Sequence, residues 1–337
     1  MSKRAPAKPV ATRNDVARLA KVSPAVVSYV VNRSKSVSPE TEERVRKAIE
    51  MLGYRPNSTA RSLRLGSTET LGMVVPDTTN PYFAALAHEV ELVARERGYD
   101  LLVSNTGGST AMERHHVERY SMRRVDGVLL CSTTSEPDAR ALDLVDIPLV
   151  LLNHFGTGTG VPSVGVNLYH GAQLAVEHLA SHGHRRIGMV AGVTSDGRQD
   201  ARKDGWFDAV RALGLEHGPC LTMPFNTEGG YEAGKLLASS ELPSAIFASS
   251  DRQAIGLVHA FHEAGVAMPE DVAVIGFDGS NECAYTWPPL TTVAQPISEM
   301  AKAAVAKLLD GTPGAMHQLL EAKLVIRRSC GCSPHLA

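Results

Sequence analysis

From Thr70 onward, short apolar runs alternate with amphipathic stretches, and the alternation starts afresh about half-way along the chain. "TLGMVVP", "YDLLVSNT", "DGVLLCS" and "IPLVLLN" read as strands, with helices over "YFAALAHEVELVARERG" and "MERHHVERYSMRRV" between them. Beyond "GVPSVGVNLYHGAQLAVEHLASHGH" a second series follows. Its strands are "RRIGMVAG", a segment near Leu221, "AIFASS" and "VAVIGFDG"; its helices lie around "GWFDAVRALG", from Tyr231, and over "IGLVHAFHEAG". Repeated βα units of this size predict parallel sheets with right-handed crossovers. Two series predict two similar doubly wound lobes. The helix from about Ile297 to Leu309 should return to the first lobe, and the strand in "KLVIRRS" to the second. Ligands of such folds sit beyond the carboxyl ends of strands. Asp77, Asn153, Ser250 with Asp251, and Asp278 stand at such ends and come from both series. A cleft between lobes follows.

Charge divides the chain in two. The net charge is −2, from 34 Lys and Arg against 36 Asp and Glu. Residues 1–66 hold 14 basic and 5 acidic residues, or +9, which leaves −11 for the rest. A basic head on an acidic body implies a polyanionic partner for the head alone. No apolar run approaches the ~20 residues of a membrane span, and "MSKRAPAKPVATR" reads as a disordered arm of residues 1–10 with no secretory signal. Five scattered cysteines suit a reducing cytoplasm better than a disulfide framework. A cytoplasmic location is expected.

The head is patterned to fold. In "ATRNDVARLA", Thr12 and Asp15 have the spacing of a capping box, and Val16, Ala17 and Ala20 make an apolar face. Ser-Pro then occurs twice within seventeen residues, at Ser23-Pro24 and Ser38-Pro39. Ser is a good N-cap, and Pro at the first helical position gives up an N–H that had no partner anyway. Each pair therefore starts a helix. Val27, Val30 and Val31 are expected inside from the first; Val45, Ala48, Ile49 and Leu52 from the second, which Gly53 ends. The first two of these three short helices, joined by a tight turn, make a helix-turn-helix. Its second helix begins at Ser23-Pro24 and offers a phosphate-attracting N-terminus.

The string "NDVARLAKVSPAVVSYVVN…VSPETEERVRKAIEMLGYRPNSTARSLRLGSTETLGMVVPD" resembles the N-terminus of the lactose-repressor (LacI-type) family of bacterial transcription regulators. The similarity extends from Ala11 to Ser329. It implies a helix-turn-helix DNA-binding domain over 11–56 and a hinge helix and linker over 57–68. Beyond these it implies a periplasmic-binding-protein-like body of two lobes, 69–165 with 295–320 and 166–294 with 321–330. By the same resemblance Pro24, Ala25 and Tyr29 face base edges, and Thr12, Ser23, Ser28 and Asn32 meet phosphate. Tyr29 stands where many members carry Arg, and a Tyr cannot pair bidentately with guanine. In the hinge, Asn57 would cap, Ala60 would allow close approach and Arg61 would meet the groove or a phosphate. Leu63 would be a wedge between base pairs in the minor groove. In the body the resemblance assigns effector contacts to Asp77, Tyr82, Phe83, Asn153, Arg202, Phe225, Ser250, Asp278 and Gln295. Arg202→Ala and Asp278→Ala should then weaken ligand binding at little cost to the fold.

These residues predict an operator-specific, effector-responsive regulator, a repressor, working as a homodimer on double-stranded DNA. A sugar or sugar derivative is the expected effector, with a nucleoside or purine as the alternative. The body alone would also suit a solute-binding protein of transport, against which the +9 head argues. No enzyme activity and no cofactor is expected: neither a Ser-His-Asp nor a Cys-His constellation can be argued, and G-x-x-x-x-G-K-[ST] does not occur. His115-His116, His182, His184 and the Cys330-Gly331-Cys332 triplet invite a metal reading. No other Cys or His stands at ligand spacing from that triplet along the chain, so no metal is expected. The hinge reading makes the first prediction: in a gel-shift series, Leu63→Ala weakens specific operator binding more than binding to random duplex. Equal loss of both would remove the wedge.

Overall fold

A computed structural model describes residues 11–32, 34–55, 66–132, 146–155, 160–193, 200–311 and 316–332. The chain divides into two units, Met1–Thr68 and Glu69–Ala337. The hinge assignments Asn57, Ala60, Arg61 and Leu63 lie outside the described residues.

Among the described residues of the first unit there are three helices, α1 (Arg13–Ala20), α2 (Pro24–Asn32) and α3 (Pro39–Leu52). Each starts as its sequence dictates. Thr12 and Asp15 form a reciprocal capping box, Ser23 Oγ accepts from Val26 N at 3.3 Å, and Ser38 caps α3 with Pro39 behind it. Each such cap contributes about 1 kcal/mol. Lys21 takes a left-handed conformation at φ 52° and turns the chain from α1 into α2. Val16, Ala17, Ala20, Val27, Val30, Val45 and Ala48 form the core, with Val31 and Ile49 packed at its edge. Leu52, expected inside, is exposed. Helix α3 has fourteen residues against eight and nine for its neighbours, so its last turn outruns them.

The second unit is two α/β lobes. The first sheet uses β1 (Thr70–Val75), β2 (Asp100–Asn105), β3 (Gly127–Leu130), β4 (Leu149–Leu152), β5 (Ser163–Val166) and β11 (His317–Leu320). The second uses β6 (Arg186–Gly192), β7 (Glu216–Met223), β8 (Ala245–Ala248), β9 (Ala273–Asp278), β10 (Thr291–Ala294) and β12 (Lys323–Val325). Their orders are β11-β5-β4-β3-β1-β2 and β12-β10-β9-β8-β6-β7. Each repeats the 2-1-3-4-5 winding, whose reversal beside the first strand opens a crevice at the strand ends. All pairings are parallel except that of β10 with β12. The inner strands are buried along nearly their whole length, which explains why they read as continuous apolar runs.

Helices α4 (Pro81–Glu96), α5 (Thr110–Met122), α6 (Leu168–Ser181), α7 (Ala201–Ala212), α8 (Thr227–Ala238), α9 (Asp251–Glu263) and α10 (Ile297–Asp310) cover the sheets. After β10 the chain crosses back, and α10 packs on α4, β3, β4 and β5 of the first lobe. Helix α8 begins four residues before Tyr231, because Asn226 Oδ1 accepts from Gly229 N at 2.7 Å and caps it. Helices α8 and α9 meet backbone to backbone. A Cβ at Gly230 would lie 1.9 Å from Gln253 O, and one at Gly256 2.0 Å from Thr227 O. That contact holds the start of α9 in place, and α9 begins at the crevice. Gly256→Val is expected to cost about 3 kcal/mol or more, as do other steric insertions into fixed cores. Urea unfolding of the body measures it; a loss below 1 kcal/mol would mean the helices part freely.

Candidate functional site

The strand ends of the two lobes converge on one cavity of about 360 Å³, within the ordinary range of small-molecule sites. Pro76 and Asp77 follow β1, Ser132 follows β3, and Asn153 follows β4. From the other lobe, Val193 follows β6, Ser250 follows β8, Asp278 ends β9 and Gln295 follows β10. Asn80, Tyr82 and Phe83 come from the start of α4, Leu168 from the start of α6, and Arg202 from α7; Gly108, Phe155 and Phe225 complete the lining. All nine residues that the sequence assigned to an effector line this cavity. Asn80, Ser132, Phe155, Leu168 and Val193 were not foreseen. Asn80 could have been: it precedes a Pro at a helix start, the usual signature of an N-cap, and its Oδ1 accepts from Tyr82 N.

Arg202 is the fixed cation of the site. Its Nε donates to both oxygens of Asp200 at 3.0 Å, and one terminal nitrogen donates to Ser249 O at 2.7 Å. Its guanidinium lies 4.8 Å from the Phe225 ring centroid and 5.3 Å from that of Phe277, distances at which cation–π attraction operates. Burial opposes the charge, yet Asp200 and Asp278 outweigh it and hold the pKa above its ordinary value. The Phe225 ring lies directly on the backbone of Gly192, where a Cβ would come within 1.9 Å of it. Arg202 is therefore both part of the lining and part of the core. The expectation that Arg202→Ala would spare the fold is corrected: its side chain is 12% exposed, and removing it would strand Asp200, whose side chain is 4% exposed, without its partner. Trp206, four residues on, belongs to the core, where its Nε1 donates to Ile187 O.

Asp278 sits opposite. It is a non-glycine residue at φ 120°, a strained backbone of the kind found where the surroundings fix a functional side chain. Its Oδ1 accepts from Gln295 Nε2 at 2.8 Å. Burial and the neighbouring Asp251 carboxylate push its pKa up to about 8, against the pull of Arg202 and Gln295. Tyr82 Oη lies 2.9 Å from Asn153 Oδ1 and 3.1 Å from Gln295 Oε1. One proton serves one of the two acceptors at a time.

Asp77 lines the cavity and also reaches the other lobe. Its Oδ1 accepts from the amide and hydroxyl of Thr79, and its Oδ2 accepts from Arg252 of the other lobe at 2.9 Å. Burial raises its pKa, but Thr79 and Arg252 outweigh that and leave it below its usual range. With both oxygens engaged, Asp77 is a clasp between lobes at the cavity wall. Ser250 caps α9 through Gln253 N. Gln253, fully buried, ties the strand ends together: its amide nitrogen lies within donating range of the carbonyls of Ala191, Met223 and Pro224, and its Oε1 accepts from Ser249 and Ser250. Neither Arg252 nor Gln253 was foreseen, since an Arg and a Gln at a helix start carry no sequence signal of burial or of a partner 175 residues away.

In the head, Ser23, Pro24, Ala25 and Asn32 are exposed and Ser28 and Tyr29 are half-buried on α2. Asn32 Nδ2 donates to Ser28 Oγ and Ser28 O at 2.9 Å, so these two polar groups order each other. Lys35 Nζ lies 5.1 Å over the Tyr29 ring. Thr12 Oγ1 is held by its own cap partner, Asp15, at 2.6 Å.

Two family models match the chain. Residues 12–57 match the bacterial regulatory proteins of the lacI family, and residues 176–330 match the periplasmic binding protein-like domain. The repressor PurR of Pasteurella multocida strain Pm70 is 34% identical over 329 residues, 95% of this chain and 98% of the relative. The chain belongs to the lacI family. As a lacI-family member it is a transcriptional repressor with a ligand-binding body. Among solved structures, the Lac repressor dimer bound to operator and the anti-inducer ONPF has a TM-score of 0.84 at 25% identity, covering 95% of this chain and 99% of that one. The regulator CelR in complex with cellobiose has a TM-score of 0.68 at 30% identity, with the same coverage. Among the described residues no helix is long and apolar enough to cross a membrane.

No Cys or His stands at ligand spacing from the Cys330–Cys332 pair along the chain, yet the fold sets His178 and His182 beside it. For the cleft, the strained and buried Asp278 makes the next prediction. A carboxyl whose folded pKa is raised from 3.8 to about 8 contributes stability below pH 4, and that contribution is lost as pH rises towards 8. Asp278→Asn should therefore flatten the decline in stability of the ligand-free protein between pH 5 and pH 8. Denaturant unfolding across that range reads it; parallel curves for both proteins would show an ordinary carboxyl.

Proposed function

We propose that this repressor binds its operator as a two-fold dimer and that a sugar or sugar derivative in the interlobe cavity sets how tightly it binds. The observation that carries the reading is the convergence of nine strand-end and helix-start residues from both lobes on one cavity, with Arg202 already oriented on Phe225. Asn153, Arg202, Asp278 and Gln295 offer hydrogen-bonding groups beside an aromatic face, which is how a hydroxyl-rich ring is held. The CelR–cellobiose complex supports the same chemistry. A nucleoside or purine is the second reading. Four rings, Tyr82, Phe83, Phe155 and Phe225, line the cavity, and the curated relative reported above is a PurR repressor.

Because the cavity walls belong to different lobes, a ligand favours one lobe arrangement over another only by its differential affinity for the two. The Asp77–Arg252 clasp is one contact that such a change would make or break. Helix α2, with Pro24 and Ala25 exposed at its start and Tyr29 half-buried one turn on, would read the major groove, and residues 57–68 would act as the hinge. Coupling of this kind amounts to about 1–3 kcal/mol.

A thermal-shift screen against sugars, sugar acids and nucleobases identifies the class of ligand. The ligand found there is expected to change affinity for the promoter of the protein's own gene by about 5–150-fold in gel-shift experiments. Phe225→Ala should weaken ligand binding by roughly tenfold or more through the lost ring face. It should leave operator binding without ligand in place. A ligand that binds tightly yet leaves operator affinity unchanged would sink the reading.

A further inference from the structure

The C-terminal segment is fastened to the second lobe up to Ser329. Its Oγ donates to Val274 O at 2.6 Å and accepts from Thr291 N at 2.9 Å, and it is fully buried. Gly331 then takes φ +92°, a conformation that only glycine adopts without strain, and it turns the chain so that the free thiols of Cys330 and Cys332 lie together. Helix α6 ends against them. His178 and His182 are four residues apart and therefore share one face of the helix end. Their rings lie 4.8 Å apart, centroid to centroid.

His178 Nε2 lies 3.3 Å from Cys330 Sγ and 3.6 Å from Cys332 Sγ, and His182 Nε2 lies 3.2 Å from Cys332 Sγ. The donor atoms of His178, Cys330 and Cys332 all fall within 4.8 Å of one another. A tetrahedral zinc ion with bonds of about 2.3 Å to sulfur and about 2.0 Å to nitrogen sets a sulfur and a nitrogen about 3.5 Å apart. The three sulfur–nitrogen distances above bracket that value. We propose that His178, Cys330 and Cys332, whose donor atoms are already gathered, hold a zinc-type divalent cation, and that His182, 3.2 Å from Cys332 Sγ, turns in to complete a tetrahedral two-thiolate, two-imidazole site. Thr291 Oγ1, 3.1 Å from Cys330 Sγ, supports that sulfur from behind, as outer partners of metal ligands do.

The donor set argues for zinc over calcium or magnesium, which prefer oxygen. On binding, each thiol loses its proton to solvent and each histidine ligates as the neutral ring, so the ion replaces two protons. The site is structural. It lies at the far end of α6 from Leu168, the cavity-lining residue, ten residues or about 15 Å away. It clamps the end of the described chain to the second lobe and leaves the cleft chemistry alone.

The test uses the full-length protein, kept reduced, stripped with a chelator and titrated with Co²⁺. One ion per chain should bind with the intense visible bands of tetrahedral cobalt and a near-ultraviolet thiolate charge-transfer band. Added Zn²⁺ should abolish both and raise Tm. Cys330 is fully buried, so the variants are Cys332→Ser and His178→Gln, at partly exposed positions. Each should weaken Co²⁺ binding by at least about tenfold, while His115→Gln, in α5, should bind as the parent does. Weak octahedral spectra, or no binding by the reduced chain, would overturn the site. A Cys330–Cys332 disulfide found by peptide mapping, with no cobalt bound after reduction, would overturn it in favour of a redox pair.

Discussion

A cation buried among aromatic rings governs the architecture of the cleft. Arg202 gives up water for Asp200, Ser249 O and two phenyl faces. A charge taken so far from solvent is tolerated only where its hydrogen bonds are answered in fixed places. Those places are a backbone carbonyl just past a strand and the capping side chain of a helix. Ser249 O is presented by the end of β8, and Phe277 by β9. Asp200 is the N-cap of α7. The pair therefore couples the geometry of the sheet edge to the geometry of the cavity, and neither can relax without exposing a charge to an apolar wall.

The rest of the cleft is built by the same rule. Gln253 Nε2 lies within donating range of three carbonyls at the ends of β6 and β7, and its Oε1 accepts from two serines; a buried amide left unmet would be costly. Gln253 lies there because α9 reaches the strand ends, and α9 reaches them because Gly230 and Gly256 let two helices touch along their backbones. Tight packing of small residues is thus a condition for the polar network. Across the cleft, the Asp77–Arg252 pair is less deeply buried, with side chains 39% and 23% exposed. Partial exposure makes such a pair weak and easily exchanged.

The head follows a separate logic. Its core consists of seven small buried residues, too few for much stability by area alone, and caps at the starts of its helices supply the remainder. Those caps use the same Thr and Ser side chains whose neighbours stand exposed at the start of α2. Helix initiation and the free, phosphate-attracting N–H groups are two consequences of one local sequence.

Much of this was written in local sequence. The helix starts at Thr12, Ser23 and Ser38 depend on neighbours three residues away, and the structure places them as their sequence dictates. The apolar runs and their regular alternation with amphipathic helices pointed to two parallel-sheet lobes, because strands joined by helical crossovers run parallel with both faces covered. All nine cavity residues assigned from the sequence line one cavity, since strand ends in such folds converge by topology. Other features belong to the tertiary structure alone. Leu52 fits an apolar period yet faces solvent, because nothing reaches its turn. Arg202 became a core residue, Asp77 a clasp and His178 a neighbour of Cys330 through partners 47, 175 and 152 positions distant. Local sequence sets which backbone a residue adopts and which side it turns inward; which charge or thiol waits there is decided by chain segments that meet only when the sheets close.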